Sequence, residues 1–447
     1  MTRRRLLAAL AAAGAGYALM QSFLAPALPD LQRAFAITPA TASWVMTGYL
    51  LSASVLTPVI GRLGDLYGKH RVLLAVLLVL CAGTLLGALA SSIEVLVAAR
   101  LVQGAGGGVF PLAFAIVRDE LEPRAVPGAL GFLSGILSAG AGAGIVLAGP
   151  VVEHLSYHWL FWLPLAGIAL ATVAVWRTVP ASPVRASGGR IHWTGMALMA
   201  AGLSAALLAL TWGDAVLGAA GLALLPAWVW AERRAPVPLV DMRVLARRTV
   251  WTTNLTTLLL GAGLFAFGLL IPQLAPLLGT DVTGAGLLLL PSTVTLLAFS
   301  SAAGRLEARF GSRACLTAGA LCSCLSFVLC AVAYRSVAGV AVASAVMGAG
   351  IGLSYAAMVN LVMGAVDLTQ SGVATGVNQI MRTIGGSVGA TLSATIVVAH
   401  GFAPAFWVIA GLLAAAVAAS ALVPRYAAAA TAGCSGVQPV PSIRSMP

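Results

Sequence analysis

Two arginines interrupt long apolar stretches of the sequence, and their side chains have the clearest potential for chemistry. Arg100 stands in a stretch that begins near Val95, and Arg382 stands in one that begins near Gly372. A charge inside hydrocarbon is costly and is kept mainly where it serves a function. Arg100 falls about six residues, or roughly 9 Å, from the predicted helix end, so its long side chain could instead reach the membrane interface. The cost of the charge favours a role for Arg100 in a central cavity.

Acidic side chains have the opposite distribution, since none of the 13 Asp and Glu residues falls in the middle of an apolar stretch. A positively charged ligand would therefore lack a buried partner, and an unpaired buried cation is heavily penalised. We expect neutral or anionic ligands to be preferred over cationic ones. If protons take part, their carrier is expected to be Asp30 first and Glu153 second, both at outer helix ends, or the ligand itself.

Uncharged polar side chains complete the candidates for the lining of a cavity. They lie in or beside the apolar stretches: Gln21, Gln103, Asn254, Tyr355, Asn360, Asn378 and Gln379. For Asn378 and Gln379 the alternative is hydrogen bonding between neighbouring helices. No nucleophile, base and orienting residue occur together, so an enzyme is not predicted, and neither a metal site nor a cofactor is expected.

The composition indicates which elements must position these side chains. Of the 447 residues, 60% are hydrophobic and 9% are charged, whereas soluble domains carry about 25% charged residues. The chain is therefore expected to be an all-α polytopic membrane protein. A spanning helix needs about 20 apolar residues, and fourteen such segments are predicted. They begin near Leu6, Ser43, Val72, Val95, Gly128, Trp159, Thr194, Ala215, Thr252, Gly284, Cys315, Val337, Gly372 and Ala403.

The positive charges test this count, because cytoplasmic loops of membrane proteins are enriched in Lys and Arg. With the N-terminus placed in the cytoplasm and fourteen helices, only Arg33 and Arg335 fall outside, while Arg100 and Arg382 lie within helices. The other 21 of the 25 Lys and Arg residues fall on the cytoplasmic side. We therefore expect both termini in the cytoplasm and a multi-pass protein of the plasma (inner) membrane. The net charge of +12 lies in short loops, which excludes a nucleic-acid partner.

A charged, glycine-containing segment occurs twice. Gly61 to Arg71 reads GRLGDLYGKHR, and Gly304 to Arg313 reads GRLEARFGSR. Each is predicted to be a tight, water-facing loop between two helices, with Asp65 joining the ends of neighbouring helices. A repeat of this kind is typical of secondary transporters built from two similar halves. The residues expected to control conformational change are Gly61, Asp65, Gly68, Lys69, Arg71, Gly304 and Gly311.

The first copy resembles the loop between helices 2 and 3 of the major facilitator superfamily. Arg100-Leu-Val-Gln103-Gly104 is similar to the helix 4 motif of drug–proton antiporters of that family, and the resemblance implies that Arg100 takes part in proton coupling. Gly149-Pro150 resembles the end of the helix 5 motif of its exporters, although the glycine pair that usually follows is missing. The fourteen-helix exporters also carry an acid in helix 1, and this chain has none near Gln21.

The resemblance implies a major facilitator fold with an inserted helix pair. We expect a six-helix bundle over 1–179, linkers and inserted helices over 180–251, a second bundle over 252–424, and a disordered cytoplasmic tail over 425–447. The implied function is secondary active transport, in which a drug or metabolite is exported by alternating access. Coupling of this transport to protons is left open. Uptake and a non-transporting ligand sensor are the alternatives. The expected partners are a small molecule, protons where coupled, and the lipid bilayer, and the chain is expected to be a monomer.

Overall fold

The computed structural model is helical throughout the described residues, and it contains no strand in them. The described residues are 3–24, 27–181, 192–212, 214–236, 238, 240–279, 282–367 and 370–424. The helices are α1 (Arg3–Phe23), α2 (Leu28–Phe35), α3 (Pro39–Tyr67), α4 (Lys69–Ala88), α5 (Ile93–Gln103), α6 (Val109–Glu120), α7 (Val126–His154), α8 (Trp159–Thr178), α9 (Trp193–Trp212), α10 (Ala215–Arg234), α11 (Met242–Leu245), α12 (Arg248–Leu274), α13 (Val282–Phe310), α14 (Ser312–Ala333), α15 (Val337–Gly364), α16 (Ser371–His400) and α17 (Phe402–Ala421).

Twelve segments within the described residues are long and apolar enough to cross a membrane. One of them, Ile93–Glu120, joins α5 and α6 through the 3-10 segment Gly104–Gly108. Helices α7 and α9 contain 29 and 20 residues. Within them, the apolar stretches whose residues are all described are shorter, Val126–Leu137 and Trp193–Ala209. The expectation of a membrane protein made of apolar helices is confirmed, whereas the number of spans supported directly is twelve and not the fourteen predicted.

The two repeated segments are not the water-facing loops that the sequence predicted. Gly61 to Tyr67 forms the last turns of α3, and Gly68 alone separates α3 from α4. The second copy has the same local structure. Gly304 to Phe310 belongs to α13, and only Gly311 separates α13 from α14. Both glycines have positive φ, 99° for Gly68 and 85° for Gly311, which lets the chain reverse within one residue. The loop prediction is therefore wrong in its extent.

Two hydrophobic cores divide the chain into halves. The first core is formed by helices from α1 to α8, and the second by α12 to α17. The halves pack along a seam on which α7 meets α13 and α3 meets α16. We call the end of the bundle that carries the Gly68 and Gly311 turns the basic end, and the other the opposite end.

The pair α9 and α10 lies beside this seam. Met199 and Leu203 of α9 are buried in a cluster with Val59 of α3 and Val373 of α16. Helix α9 therefore contacts both halves. Near the end of its partner α10, Glu232 is buried, and its Oε1 lies 3.2 Å from Nδ1 of His192.

Candidate functional site

Arg100 of α5 is completely buried in the first half. Its Nε donates to the carbonyl oxygen of Val45 at 3.0 Å, and its Nη1 donates to Oε1 of Gln103 at 2.8 Å. Nη1 also lies 3.7 Å from the sulfur of Met20. The guanidinium carbon lies 4.3 Å from the centroid of the Tyr49 ring. This burial excludes the alternative in which Arg100 reaches the membrane interface.

The surroundings of Arg100 are ordered by further hydrogen bonds. The hydroxyl groups of Tyr17 and Tyr49 lie 2.6 Å apart, which joins α1 to α3. Gln103 donates through Nε2 to Oγ1 of Thr84 on α4 at 3.2 Å, so its carbonyl oxygen points to the arginine. The Nη2 group of Arg100 is buried and has no hydrogen-bond partner among the described residues. A buried donor without a partner is costly, and it marks the place where an acceptor would bind.

Arg382 of α16 has a matching environment in the second half. Its Nη2 donates to Oε1 of Gln379, and its guanidinium carbon lies 4.6 Å from the centroid of the Tyr355 ring. Arg382 is half-buried. Helices α3 and α16 run antiparallel, with Gly61 against Gly372 and Pro58 against Gly376. This register places Arg382 at about the level of Tyr49, the residue whose ring contacts Arg100.

The two groups share one construction. Each arginine is hydrogen-bonded to a glutamine three residues away on its own helix and lies over a tyrosine ring. Among the described residues neither arginine contacts a carboxylate, and the carboxylates that form ion pairs there, Asp119 and Glu232, belong to Lys69 and His192. Two positive charges therefore remain uncompensated in the interior of the bundle.

The other predicted cavity residues separate into three places. Asn378 donates to Asn254 at 2.9 Å and to Thr257 at 2.8 Å, which joins α16 to α12 and corresponds to the helix-packing alternative. Gln21 is half-buried on α1. Asn360 lies near the end of α15, where it donates to Glu307 at 2.8 Å, so it belongs to the basic end and not to the arginine groups.

Asp65 joins the two halves at the basic end. Its carboxylate is almost fully buried and accepts the backbone N–H groups of Gly372 at 3.4 Å and Val373 at 3.3 Å. These are the first residues of α16, where the helix dipole favours a negative charge. A Cβ atom on Gly61 would lie 2.5 Å from the carbonyl oxygen of Gly372, so the backbones are in close contact. The seam is closed at this end.

A second set of contacts supports the same closure. The Nζ of Lys69 lies 2.8 and 2.7 Å from the two carboxylate oxygens of Asp119, and both side chains are about 1% exposed. The neighbouring Arg118 donates to the carbonyl oxygen of Val366 in the second half at 2.8 Å. Arg71, which the sequence grouped with Lys69, is exposed. Lys69 thus fixes α4 to α6, and Arg118 connects α6 to the partner half.

The second copy of the repeat is arranged differently. Glu307 accepts hydrogen bonds from Ser312 at 2.5 Å and Asn360 at 2.8 Å, all within the second half. It borders a crevice of about 1100 Å³ between the ends of α13, α14, α15 and α17. Cross-half contact is instead made by Gly304, on which a Cβ would lie 2.5 Å from the Cα of Gly128. The carboxylate that caps a helix of the other half is therefore Asp65.

Some predicted residues lie at positions whose side chains the structure does not describe. They are Asp30 on α2, and Glu153 and Gly149 on α7. Pro150 is exposed within α7.

Sequence reasoning missed the aromatic side of the site. Tyr17 and Tyr49 were not among the candidates, although their hydroxyl groups pair with each other and the ring of Tyr49 covers Arg100. A usable signal existed, because the chain has only seven tyrosines, and a buried tyrosine hydroxyl normally has a partner. Asp119 was also missed as the partner of Lys69, since these residues are 50 positions apart.

Two helical halves that meet on a seam, with buried polar and charged side chains, are typical of secondary transporters. The sequence matches the Major Facilitator Superfamily over residues 10–251 and 253–433. The chain belongs to that family. Twelve segments within its described residues are long and apolar enough to cross a membrane, as a multi-pass membrane protein requires.

Curated relatives share this family and differ in what their names describe. An uncharacterized MFS-type transporter of Mycobacterium tuberculosis is 29% identical over 396 residues, and the match covers 84% of this chain and 57% of the relative. The chain thus spans little more than half the length of that relative. The multidrug transporter protein MdtP of Bacillus subtilis is 25% identical over 366 residues, covering 78% of this chain and 67% of that protein. The uridine/deoxyuridine transporter of Lactococcus lactis is 28% identical over 400 residues, covering 82% and 80%.

Solved structures show the same fold. The human organic anion transporter MFSD10 superimposes with a TM-score of 0.74 at 16% identity, covering 94% of this chain and all of that chain. The proton:xylose symporter XylE superimposes with a TM-score of 0.69 at 14% identity, covering 94% and 95%. At these identities the likeness concerns the fold alone.

Proposed function

We propose that the protein exports a small organic molecule by secondary active transport. The observation that supports this most is the pair of arginine groups, one built by Arg100, Tyr49 and Gln103 and the other by Arg382, Tyr355 and Gln379. They lie on different halves and at about the same level along the contact of α3 with α16, as a substrate site between two rocking halves requires. Gln21, on α1, is proposed to extend this lining.

Closure at one end supports alternating access around this site. Asp65, Gly61 and Gly304 hold the seam shut at the basic end, and the charge asymmetry of the sequence assigns that end to the cytoplasm. The structure then corresponds to a state closed to the cytoplasm. Export requires this contact to break, so that the substrate enters from the cytoplasm, and to form again before release outside.

The fourteen-helix drug-exporter branch is the proposed place of the chain within its family. Helices α7 and α9 are 29 and 20 residues long, and counting both with the twelve apolar segments gives fourteen. The first bundle would then be 1–179, the inserted pair would lie in 180–251, the second bundle would be 252–424, and 425–447 would be a cytoplasmic tail. The names of multidrug relatives from Bacillus and Mycobacterium agree with this placement.

Flux through sealed membranes tests the proposal. Inside-out vesicles carrying the full chain are energised and given radiolabelled uridine, ethidium or 2-naphthoate, with vesicles lacking the chain as the control. Export predicts uphill accumulation of at least one compound, which an ionophore abolishes. Accumulation only in right-side-out vesicles would mean uptake. Binding of a compound to the purified protein without flux in either orientation would identify a sensor.

A further inference from the structure

Arg100 and Arg382 have no negatively charged partner among the described residues. Arg100 is fully buried, Arg382 is half-buried, and no carboxylate among the described residues contacts either of them. Removing one partner from a buried ion pair is strongly destabilising, because the remaining charge is left without compensation. The tyrosine faces offset only part of this cost, since the quadrupole of an aromatic ring attracts a cation but carries no net charge that could neutralise it. The site thus needs an anion that the protein does not supply.

The unoccupied donors show where such an anion would bind. A guanidinium has five N–H donors. Nε of Arg100 donates to the carbonyl oxygen of Val45, and Nη1 contacts Gln103 and the Met20 sulfur. Nη2 has no hydrogen-bond partner among the described residues. Arg382 donates through Nη2 to Gln379, and its half-buried side chain is within reach of a ligand on the seam.

From this geometry we propose that the transported molecule is an organic anion, held by a carboxylate or sulfonate group between Arg100 and Arg382. The inference rests on the proposed transport function and specifies its substrate class. A planar acid group offers two oxygens to the fork of a guanidinium, which favours it over a neutral amide of the same shape. Tyr49 and Tyr355 cover one face of each guanidinium, so the acid approaches edge-on and its body lies along the seam.

The same charges give the anion a role in closing the transporter. Without a ligand, Arg100 and Arg382 repel each other from opposite halves across a seam of low dielectric. An anion between them attracts both, so its binding favours the state in which the halves meet around the substrate. A cation bound there would add a third positive charge, which the site resists.

Binding measurements on the purified full chain separate charge from shape. The probes are 2-naphthoate, its neutral amide 2-naphthamide, and the cation 2-naphthylmethylammonium. Wild-type protein is expected to bind the carboxylate at least tenfold more tightly than the amide and to bind the ammonium weakest. Arg382→Gln is expected to weaken carboxylate binding far more than amide binding, so that the preference for the carboxylate is lost, and Arg382→Lys is expected to restore part of that preference. The control is Arg335→Gln, an exposed arginine at the opposite end.

Three outcomes would overturn the inference. They are equal binding of the carboxylate and the amide by wild-type protein, tighter binding of the ammonium, and a parallel loss of carboxylate and amide binding in Arg382→Gln. Flux in vesicles distinguishes this failure from failure of the proposed function. Carboxylate binding that depends on Arg382 but produces no flux would retain the anion site and overturn transport. Flux of the ammonium in preference to the carboxylate would retain transport and overturn the anion site.

Discussion

At the scale of single residues, the most informative group is Asp65, because it is the only described carboxylate that caps a helix of the other half. Asp65→Asn keeps the size of the side chain but removes the charge that favours the N-terminus of α16. We expect turnover to slow several-fold while substrate affinity changes little, since the contact controls exchange between states and not the binding site. Flux and binding are measured on the same preparation.

The control for this change is Asp214→Asn. Asp214 accepts the N–H groups of Val216 and Leu217 at the start of α10 and is exposed, away from the seam. Asparagine is an equally good helix cap, so this variant is expected to transport at the wild-type rate. An unchanged turnover rate in well-folded Asp65→Asn protein would contradict the role assigned to Asp65.

The buried pair of Lys69 and Asp119 yields a prediction on stability. Both side chains are about 1% exposed and in contact at 2.7 Å. Removing one partner leaves a buried charge and is expected to cost about 3–5 kcal/mol, whereas apolar replacement of both is often nearly neutral. In detergent, the Tm of Lys69→Met should be lower than the Tm of the double variant Lys69→Met/Asp119→Leu. A double variant less stable than either single variant would show that the pair contributes more than compensation of charge.

At the scale of elements, the crossing of α7 and α13 depends on the absence of side chains. A Cβ on Gly304 would lie 2.5 Å from the Cα of Gly128, so Gly304→Val must push the helices apart. We expect this variant to favour opening of the basic end. Spin labels at Tyr67→Cys and Phe310→Cys, without the native cysteines, should report a longer distance. Gly268→Val is the control, since a Cβ there meets nothing within 4 Å.

The elements also show what could be predicted from the sequence. Each predicted segment start lies within four residues of a helix start, because apolar runs determine where a chain can enter hydrocarbon. The same reasoning failed at Gly61 to Arg71, where charge was taken to end the helix. Charges near a membrane surface end the apolar run but not the backbone hydrogen bonds, which continue until Gly68.

The candidate site was predicted only in part, for a related reason. Arg100 and Arg382 could be predicted because a charged residue within a long apolar stretch can be recognised from the sequence alone. Tyr355, the partner of Arg382, was also among the predicted residues, but Tyr49 was not, since it lies 51 positions before Arg100 and the contact arises only when α3 packs on α5. Pairing across helices depends on tertiary packing, which a single sequence does not specify.

At the scale of the whole molecule, the arrangement of charges predicts the orientation in the membrane. A reporter inserted after Arg185 and one fused at the C-terminus should both be located in the cytoplasm, because 21 of the 25 Lys and Arg residues then share that side. Paired alkaline phosphatase and fluorescent protein fusions measure this location. Opposite locations for the two reporters would mean an odd number of spans between them and would exclude the fourteen-helix arrangement.

The coupling of transport to protons is also a property of the whole chain. No described carboxylate contacts the arginine groups, and the acidic residues of the sequence lie toward helix ends. If protons drive export, we expect Asp30 and Glu153 to carry them, so Asp30→Asn combined with Glu153→Gln should abolish stimulation by a proton gradient. Downhill exchange of the same substrate should persist, because it needs the substrate site but no proton carrier.

The measurement compares efflux of 2-naphthoate and ethidium with and without an imposed proton gradient, in wild-type and doubly substituted protein. Stimulation of naphthoate efflux that disappears in the double variant would assign coupling to the outer-end acids. Stimulation that survives for the naphthoate would assign the proton to the substrate itself, since a weak acid can be carried in its protonated form. Strong gradient-driven export of ethidium that survives both substitutions would contradict the charge argument, because two buried arginines without acidic partners should exclude a permanent cation.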